Sequence, residues 1–233
     1  MKRYSQRQIG RALAKHDTVE VNVDIADGGD PLRLLESRDS YALLDRLIEQ
    51  EEASLQAIRF PYWAEIWPAA IGLARWLTTH SIKPASGWTR ELGCGIGLAG
   101  VAMARRGWVV EATDFIEDAL MFTTLNAQRN GVAHRHRVAY LDWSHPVGES
   151  CDCMIASDVA YEKALHPYLN RTLRSLLAPG GRLYLSDPGR PVAQPFIESL
   201  KTHGYSHSED VVVVQWKSLE HRIHVHTLNK PAS

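Results

Sequence analysis

The chain has 233 residues, of which 45% are hydrophobic and 23% charged, and its formal net charge is -1. This length and composition predict one globular domain with a large α/β core. A charge near zero counts against tight, sequence-independent binding of nucleic acid, which needs a strongly basic face. Three cysteines are too few for a disulfide framework, and no apolar run reaches the length of a membrane span. We therefore expect a cytoplasmic protein without membrane association.

Residues 1–60 are expected to form a flanking segment that packs on a main domain, which we assign to residues 61–233. The segment opens with basic residues between Lys2 and Lys15, which would suit either a targeting presequence or a solvated amphipathic helix. Apolar residues recur at helical spacing from Leu44 to Ile58, until Pro61 ends the run. Alternation with polar residues indicates a half-buried strand at Val19, Val21, Val23 and Ile25.

From residue 88 onward, strand and helix patterns alternate, which indicates a parallel sheet with helices on both faces. Strands are predicted near Thr89–Leu92, Val109–Thr113, Arg137–Tyr140, Cys153–Ala156 and Arg182–Ser186. Helices are predicted near Leu98–Arg106, Glu117–Asn130, Glu162–Leu177 and Val192–His203. Two further strand patterns, Val211–Val214 and Ile223–Thr227, follow one another without a helix between them. The predicted fold is therefore α/β, a Rossmann-like seven-strand sheet that is parallel except for a C-terminal antiparallel hairpin.

A glycine-rich loop lies between the first of these strands and the helix that follows it. Glycines let the backbone turn sharply and approach a ligand closely at the carboxyl edge of the sheet. Asp114 ends the next strand, where a carboxylate can accept hydrogen bonds from both hydroxyls of a ribose. A nucleoside-containing cofactor is therefore predicted, in contact with Gly93, Cys94, Gly95, Gly97 and Asp114.

Two classes of cofactor compete at this point. Gly95, Gly97 and Gly100 satisfy the dinucleotide pattern G-x-G-x-x-G, which would suit NAD or FAD. Glu91, beside the loop, would repel a pyrophosphate but suits the ammonium and sulfonium charges of S-adenosylmethionine. The long segment before the loop and the C-terminal hairpin favour the methyl donor as well. S-adenosylmethionine is the expected cofactor, and an NAD-dependent oxidoreductase is the alternative from another enzyme class.

Asp142 and Trp143 follow the third predicted strand of the sheet. Strand ends in this fold face the ligand, so the carboxylate would lie near the exocyclic amine of an adenine. The indole would pack on the adenine ring. A tryptophan here could equally belong to the core, and this alternative stays open.

Four segments resemble the seven-strand protein lysine methyltransferases grouped as methyltransferase family 16. They are PYWAEIWP at 61–68, LGCG at 92–95 together with Asp114, SDVAY at 157–161 and DPGRP at 187–191. The likeness is greatest to the branch that acts on the electron-transfer flavoprotein beta subunit. It implies the Rossmann-like methyltransferase fold and an S-adenosylmethionine-dependent enzyme that methylates a lysine side chain of another protein. An electron-transfer flavoprotein subunit is one candidate substrate.

The resemblance also implies roles for individual residues. Asp158 would fix the acceptor amine through a hydrogen bond, and Tyr161 would wall the channel by which the amine arrives. The alternatives are an N-cap for Asp158 and a core position for Tyr161. A small-molecule N- or O-methyltransferase is the nearest competing function, and a binding module without turnover is another. By resemblance, the cofactor is contacted by Trp67, Gly93 to Gly95, Asp114, Trp143 and Ser157.

Other features of the sequence are assigned no chemistry. Cys151 and Cys153 form a C-x-C pair without a second pair at metal-binding spacing, so we expect buried strand residues. His221, His224 and His226 lie on a predicted strand and are expected to have no partner acids in a fixed frame. A solvated strand face is expected there, and no metal site is predicted.

Overall fold

The computed structural model describes residues 4–26, 29–51, 60–80, 82 and 87–232. The chain begins with helix α1 (Gln6–Lys15), followed by strands β1 (Thr18–Val23) and β2 (Leu32–Ser37), which form a two-stranded antiparallel sheet. Helix α2 (Ser40–Glu51) follows, and helix α3 (Pro68–Thr79) leads into the main sheet. The predicted helix that continues to Ile58 is found as far as Glu51, and its remainder lies outside the described residues.

The main sheet has seven strands in the order β5-β4-β3-β6-β7-β9-β8. In chain order they are β3 (Thr89–Leu92), β4 (Val110–Asp114), β5 (His136–Tyr140), β6 (Cys151–Ser157), β7 (Leu177–Asp187), β8 (Ser206–Trp216) and β9 (Leu219–Asn229). Strands β3 to β7 are parallel to one another, whereas β9 is antiparallel to both β7 and β8. The predicted seven-strand sheet with a C-terminal antiparallel hairpin is confirmed.

Helices cover both faces of this sheet. They are α4 (Leu98–Arg105), α5 (Glu117–Arg129), α6 (His166–Leu176) and α7 (Gln194–Thr202). One apolar cluster unites α3, α4 and part of the hairpin, and a second unites α6 and α7 with the other face. Helix α6 is shorter than predicted, because Pro167 lies in its first turn and its backbone becomes extended from Leu177.

The N-terminal segment packs on the main domain instead of standing apart from it. Asn126 of α5 accepts the backbone N–H of Leu35 at 2.8 Å and donates to the Leu35 carbonyl at 3.2 Å. Val23 and Leu34 belong to the same apolar cluster as α3 and α4. Helix α1 is not fully solvated, because Ile9 is buried. The division of the chain into a flanking segment of residues 1–60 and a main domain of residues 61–233 stays a prediction.

No helix among residues 4–26, 29–51, 60–80 and 87–232 is long and apolar enough to cross a membrane. Cys94, Cys151 and Cys153 are all buried free thiols. The two cysteines of β6 are therefore strand residues of the core, as predicted.

Candidate cofactor and acceptor site

The glycine loop connects β3 to α4 at the carboxyl edge of the sheet. Gly93, Gly95 and Gly97 have φ angles of 61°, 52° and 86°, in the left-handed region that disfavours other residues. A Cβ at Gly93 would lie 3.0 Å from the Val159 side chain and 3.3 Å from Trp143. A Cβ at Gly97 would lie 2.7 Å from the Thr123 side chain. Both the turn and the close packing therefore require these glycines.

Asp114 lies at the end of β4 and holds the loop directly. Its Oδ2 accepts the backbone N–H of Gly95 at 3.0 Å, and its Oδ1 accepts that of Ile116 at 3.0 Å. The side chain is almost entirely buried, and this burial raises the pKa of Asp114 to about 6. Each carboxylate oxygen retains a lone pair for a further donor, such as a ribose hydroxyl.

Cys94 occupies the middle of the loop and faces inward. Its N–H donates to the carbonyl of Thr113 at 2.9 Å, and its thiol lies 3.5 Å from the hydroxyl of Thr123. Burial raises the pKa of the Cys94 thiol well above its ordinary value. Cys94 is therefore an inert packing residue whose backbone helps to shape the loop.

Glu91 lies beneath the loop, facing the first turn of α4. Its Oε1 accepts the N–H of Gly100 at 3.1 Å, so the carboxyl group caps the helix. Its Oε2 is buried without a hydrogen-bond partner, and burial raises the pKa of Glu91 to about 8. Both ring nitrogens of the buried His136 also lack partners, and burial lowers the pKa of His136 to about 4. Glu91 thus supports the loop from below, and direct contact with a cofactor stays a prediction.

Asp142 and Trp143 follow the end of β5. Asp142 Oδ1 accepts the N–H of Ser144 at 2.8 Å and its hydroxyl at 2.7 Å, and these bonds lower the pKa of Asp142. Trp143 is half-buried and packs against both Gly93 and the cluster under α6. Its indole therefore packs on the core and also borders the loop, and its contact with an adenine ring stays a prediction.

An aromatic group borders the site on the side of the segment before α3. The Tyr62 ring lies 5.2 Å from the Tyr161 ring, 5.8 Å from that of Trp67 and 4.8 Å from that of Phe60. The Trp67 indole N–H donates to the carbonyl of Tyr62 at 2.7 Å. We call Phe60, Tyr62, Trp67 and Tyr161 the aromatic rim. The sequence-based prediction of a cofactor contact for Trp67 stays open, since its ring packs within the rim.

Asp158 follows Ser157, the last residue of β6, and adopts a left-handed backbone with φ of 51°. Its N–H donates to the carbonyl of Ser186 at 2.7 Å, which fixes it to the end of β7. Arg190 donates from Nε and one terminal nitrogen to the two Asp158 oxygens, each at 2.8 Å. The Asp158 side chain is 9% exposed and that of Arg190 is 38% exposed. A strained backbone and a bidentate ion pair thus hold the carboxylate in one orientation.

The alternative of an N-cap role for Asp158 is wrong, because α6 begins only at His166. A loop and a short 3-10 turn at Lys163–Leu165 separate Asp158 and Tyr161 from that helix. Arg190 was not predicted as a site residue. Its segment, DPGRP, was singled out by resemblance, but its partner lies 32 positions away in the sequence.

The family of the chain is decided by its sequence as a whole. The sequence profile described as "Lysine methyltransferase" matches residues 58–203, well over half of the 233 residues. The matched range contains the glycine loop, Asp114, Asp158 and Arg190. The chain belongs to the lysine methyltransferase family. S-adenosylmethionine is the methyl donor of this family, so the predicted enzyme class and cofactor class are confirmed at the level of the family.

Two curated members show how far the likeness extends. The methyltransferase is 29% identical over 133 residues to EEF1A lysine methyltransferase 3 of Mus musculus, which covers 54% of this chain and 56% of that protein. It is 30% identical over 135 residues to electron transfer flavoprotein beta subunit lysine methyltransferase of Danio rerio, which covers 56% of this chain and 51% of that protein. The chain therefore spans little more than half the length of these relatives.

Among solved structures, the methyltransferase is similar to magnesium protoporphyrin IX methyltransferase from Synechocystis PCC 6803 with bound S-adenosylmethionine. The TM-score is 0.55 at 18% identity, and the match covers 81% of this chain and 96% of that chain. At this identity the likeness concerns the fold alone.

The residues present fit an S-adenosylmethionine molecule at the carboxyl edge of the sheet. Asp114 offers buried acceptor capacity at the end of β4, and the loop backbone is free of side chains at Gly93 and Gly95. Glu91 supplies a buried carboxyl oxygen without a partner below the loop. An adenosine-sized group flanked by Trp143 would thus meet the acceptors that a nucleoside requires.

The expectation for the C-terminal histidines is wrong in part. His226 is completely buried, and its Nε2 lies 3.1 Å from Asp187 Oδ2. His224 Nδ1 pairs with Glu209. These two histidines therefore have partner acids in a fixed frame, which sequence alternation alone did not reveal because the acids lie on the neighbouring strands β7 and β8.

Proposed function

We propose that this chain transfers a methyl group from S-adenosylmethionine to the amine of a lysine side chain on another protein. The observation that carries the proposal is Asp158, a nearly buried carboxylate that Arg190 fixes at the end of β6, three residues before Tyr161 of the aromatic rim. An aliphatic amine can donate a hydrogen bond to a carboxylate and pack against aromatic rings, so this environment fits a lysine side chain.

Methyl transfer requires a neutral amine, whereas a lysine in water has a pKa of about 10.4. The Asp158 carboxylate keeps lone pairs beyond the two used by Arg190, so it can accept an N–H from the arriving amine. The guanidinium of Arg190 opposes a second positive charge nearby and thereby favours the neutral amine. The two residues together would orient the nucleophile and promote its deprotonation.

Cofactor binding would fall to other residues. S-adenosylmethionine supplies an electrophilic methyl group when bound, so alignment is the main task left to the protein. Asp114 would accept from the ribose, the loop at Gly93, Cys94, Gly95 and Gly97 would let the backbone approach, and Asp142 with Trp143 would border the adenine. Ser157 and Trp67 would complete the set of residues that contact the cofactor.

The electron-transfer flavoprotein beta subunit is the first substrate to test, because the Danio rerio relative is named for it. A small-molecule N- or O-methyltransferase is the second candidate function. The fold is shared with an enzyme named for a porphyrin substrate, so the fold does not discriminate between the two.

Asp158→Ala tests the proposed role of the acceptor carboxylate. Single-turnover transfer of labelled methyl groups to the flavoprotein subunit and to lysate protein should slow by on the order of a hundredfold or more. Cofactor affinity, measured by calorimetry, should change less than about threefold. The matched control is Asp152→Ala, an exposed acid at the other end of β6, which should leave both quantities unaltered. Parent-like transfer by Asp158→Ala would remove the main support for the proposal.

A further inference from the structure

A second polar cluster lies away from the acceptor carboxylate, on the C-terminal strands. Glu209 of β8 lies directly opposite His226 of β9, and His207 lies two residues before Glu209 on the same face. Asp187, the last residue of β7, lies opposite His224 of β9, two residues from His226 on the same strand. The antiparallel pairing of β7, β9 and β8 thus brings histidine and carboxylate side chains from three neighbouring strands close together.

Three donor atoms of this cluster converge. His207 Nε2 lies 3.0 Å from His226 Nδ1, and Glu209 Oε2 lies 3.8 Å from the same Nδ1. All three donors lie within 4.8 Å of one another. In a tetrahedral zinc site with bonds of about 2.0–2.1 Å, neighbouring donors lie roughly 3.3 Å apart. Small rotations of His207 and Glu209, which are both partly exposed, would bring the donors to that spacing.

The surroundings fix which nitrogen of His226 carries its proton. Asp187 Oδ1 accepts the N–H groups of Gly189 and Arg190 at 2.7 and 2.9 Å, and its Oδ2 lies 3.1 Å from His226 Nε2. A carboxylate only accepts, so Nε2 carries the hydrogen and donates it to Asp187. The lone pair of His226 therefore lies on Nδ1, the atom that faces His207 and Glu209. This arrangement is the carboxylate–histidine pairing that orients a metal ligand from behind.

The geometry points to a binding site for a divalent zinc-class metal ion formed by His207, Glu209 and His226. Two imidazoles and one carboxylate are a ligand set that zinc accepts, with water at the fourth position. His224 pairs with the other oxygen of Glu209 and would hold that carboxylate as Asp187 holds His226. The two carboxylates balance the charge of the ion, while the nearby Lys201 is paired with Glu198.

Such an ion would strengthen the connection between the C-terminal hairpin and the loop that follows β7. Asp187 connects His226 to the backbone of Arg190, and Arg190 in turn holds Asp158. The ion would therefore stabilise the frame around the acceptor carboxylate without touching a substrate. Its presence is testable by binding alone, so failure here would leave the proposed methyl transfer untouched.

The test uses the full chain without a histidine tag, stripped with a chelator and titrated with Zn²⁺ by calorimetry. We expect one zinc per chain, a higher melting temperature with zinc, and a Co²⁺ derivative with the visible absorption of a tetrahedral site. His207→Ala and Glu209→Gln change partly exposed residues and should each weaken zinc binding at least about tenfold. Asp187→Asn should weaken binding by about tenfold or more through His226.

His221→Ala is the matched control, because His221 lies on the same strand but on the other face of the hairpin. It should bind zinc as the parent chain does. Circular dichroism must show that each variant is folded before its affinity is compared. The proposal is overturned if the parent chain binds no zinc, or if His207→Ala and Glu209→Gln bind it as tightly as the parent.

Discussion

Asp114 is the residue on which cofactor affinity should depend most visibly. Its burial raises its pKa to about 6, and only the ionised form can accept from both ribose hydroxyls. S-adenosylmethionine affinity should therefore rise as the pH increases through 6, by up to about tenfold per pH unit below that value. Calorimetry over this range should show weak, nearly pH-independent binding for Asp114→Asn. The Asp142→Asn control should keep the slope of the parent, and equal slopes for Asp114→Asn and the parent would refute this role.

Glu91 should make folding stability fall with rising pH. Its folded pKa of about 8 lies above the ordinary 4.5, so between these values the folded chain retains a proton that the unfolded chain has released. The stabilisation is complete below pH 4.5 and is lost as the pH rises through 8, at about 1.4 kcal/mol per pH unit for one proton.

Denaturant unfolding of the parent and Glu91→Gln at several pH values measures this effect. Glutamine can still accept the hydrogen bond from Gly100 but does not titrate. The free energy of unfolding of Glu91→Gln should therefore increase relative to that of the parent as the pH rises. The opposite contribution of His136, whose pKa is lowered, is common to both proteins and cancels in the difference. A difference that is independent of pH would contradict the buried position of the Glu91 carboxyl.

For individual residues, the sequence predicted which ones lie at the site. It was less informative about what each of them contacts. The glycine loop with Asp114 was identified from spacing, because strand ends of this fold converge by topology. The support of the loop by Glu91 from below depends on which face of a fully buried strand it occupies, and alternation gives no sign of that. The pairing of Arg190 with Asp158 joins two loops and has no local signature.

Among the elements, α3 was not predicted and yet lies at the centre of the packing. Nine of its 12 residues are buried, so it lacks the polar face that produces a helical period. Strand β2 was missed as well, because its pattern is short and follows a run of Gly, Asp and Pro. The alternating strands and helices after residue 88 were predictable, since each carries a period or a terminating Pro or Gly.

Two glycines in helices give opposite predictions for one substitution. A Cβ at Gly72 of α3 would lie 2.7–2.9 Å from the Ile223 side chain of β9, so Gly72→Ala should destabilise the fold by about 1–3 kcal/mol. Gly10 of α1 has nothing within 4 Å, so Gly10→Ala should stabilise by roughly 0.5–1 kcal/mol through helix propensity. Chemical denaturation measures both. A Gly72→Ala protein as stable as Gly10→Ala would show that α3 does not pack tightly on the hairpin.

In the whole molecule, the N-terminal segment and the C-terminal hairpin both reach the carboxyl edge of the parallel strands. His16 connects the N-terminal segment to Asp118 at 2.9 Å and contacts Trp63, whose backbone carbonyl lies over Gly95. The C-terminal hairpin reaches the same edge through Asp187 and Arg190. Both flanks of the chain thus contact residues that border the site.

Lysine in protein is the proposed methyl acceptor of this methyltransferase. The most direct measurement incubates the purified chain with S-adenosylmethionine labelled in its methyl group and a cell lysate, then hydrolyses the labelled protein in acid and separates its amino acids. We predict that the label is recovered as methylated lysine, and that Asp158→Ala, with unchanged cofactor affinity, transfers almost none. Label recovered only in small molecules, in nucleic acid or in alkali-labile esters would contradict lysine methylation by this chain.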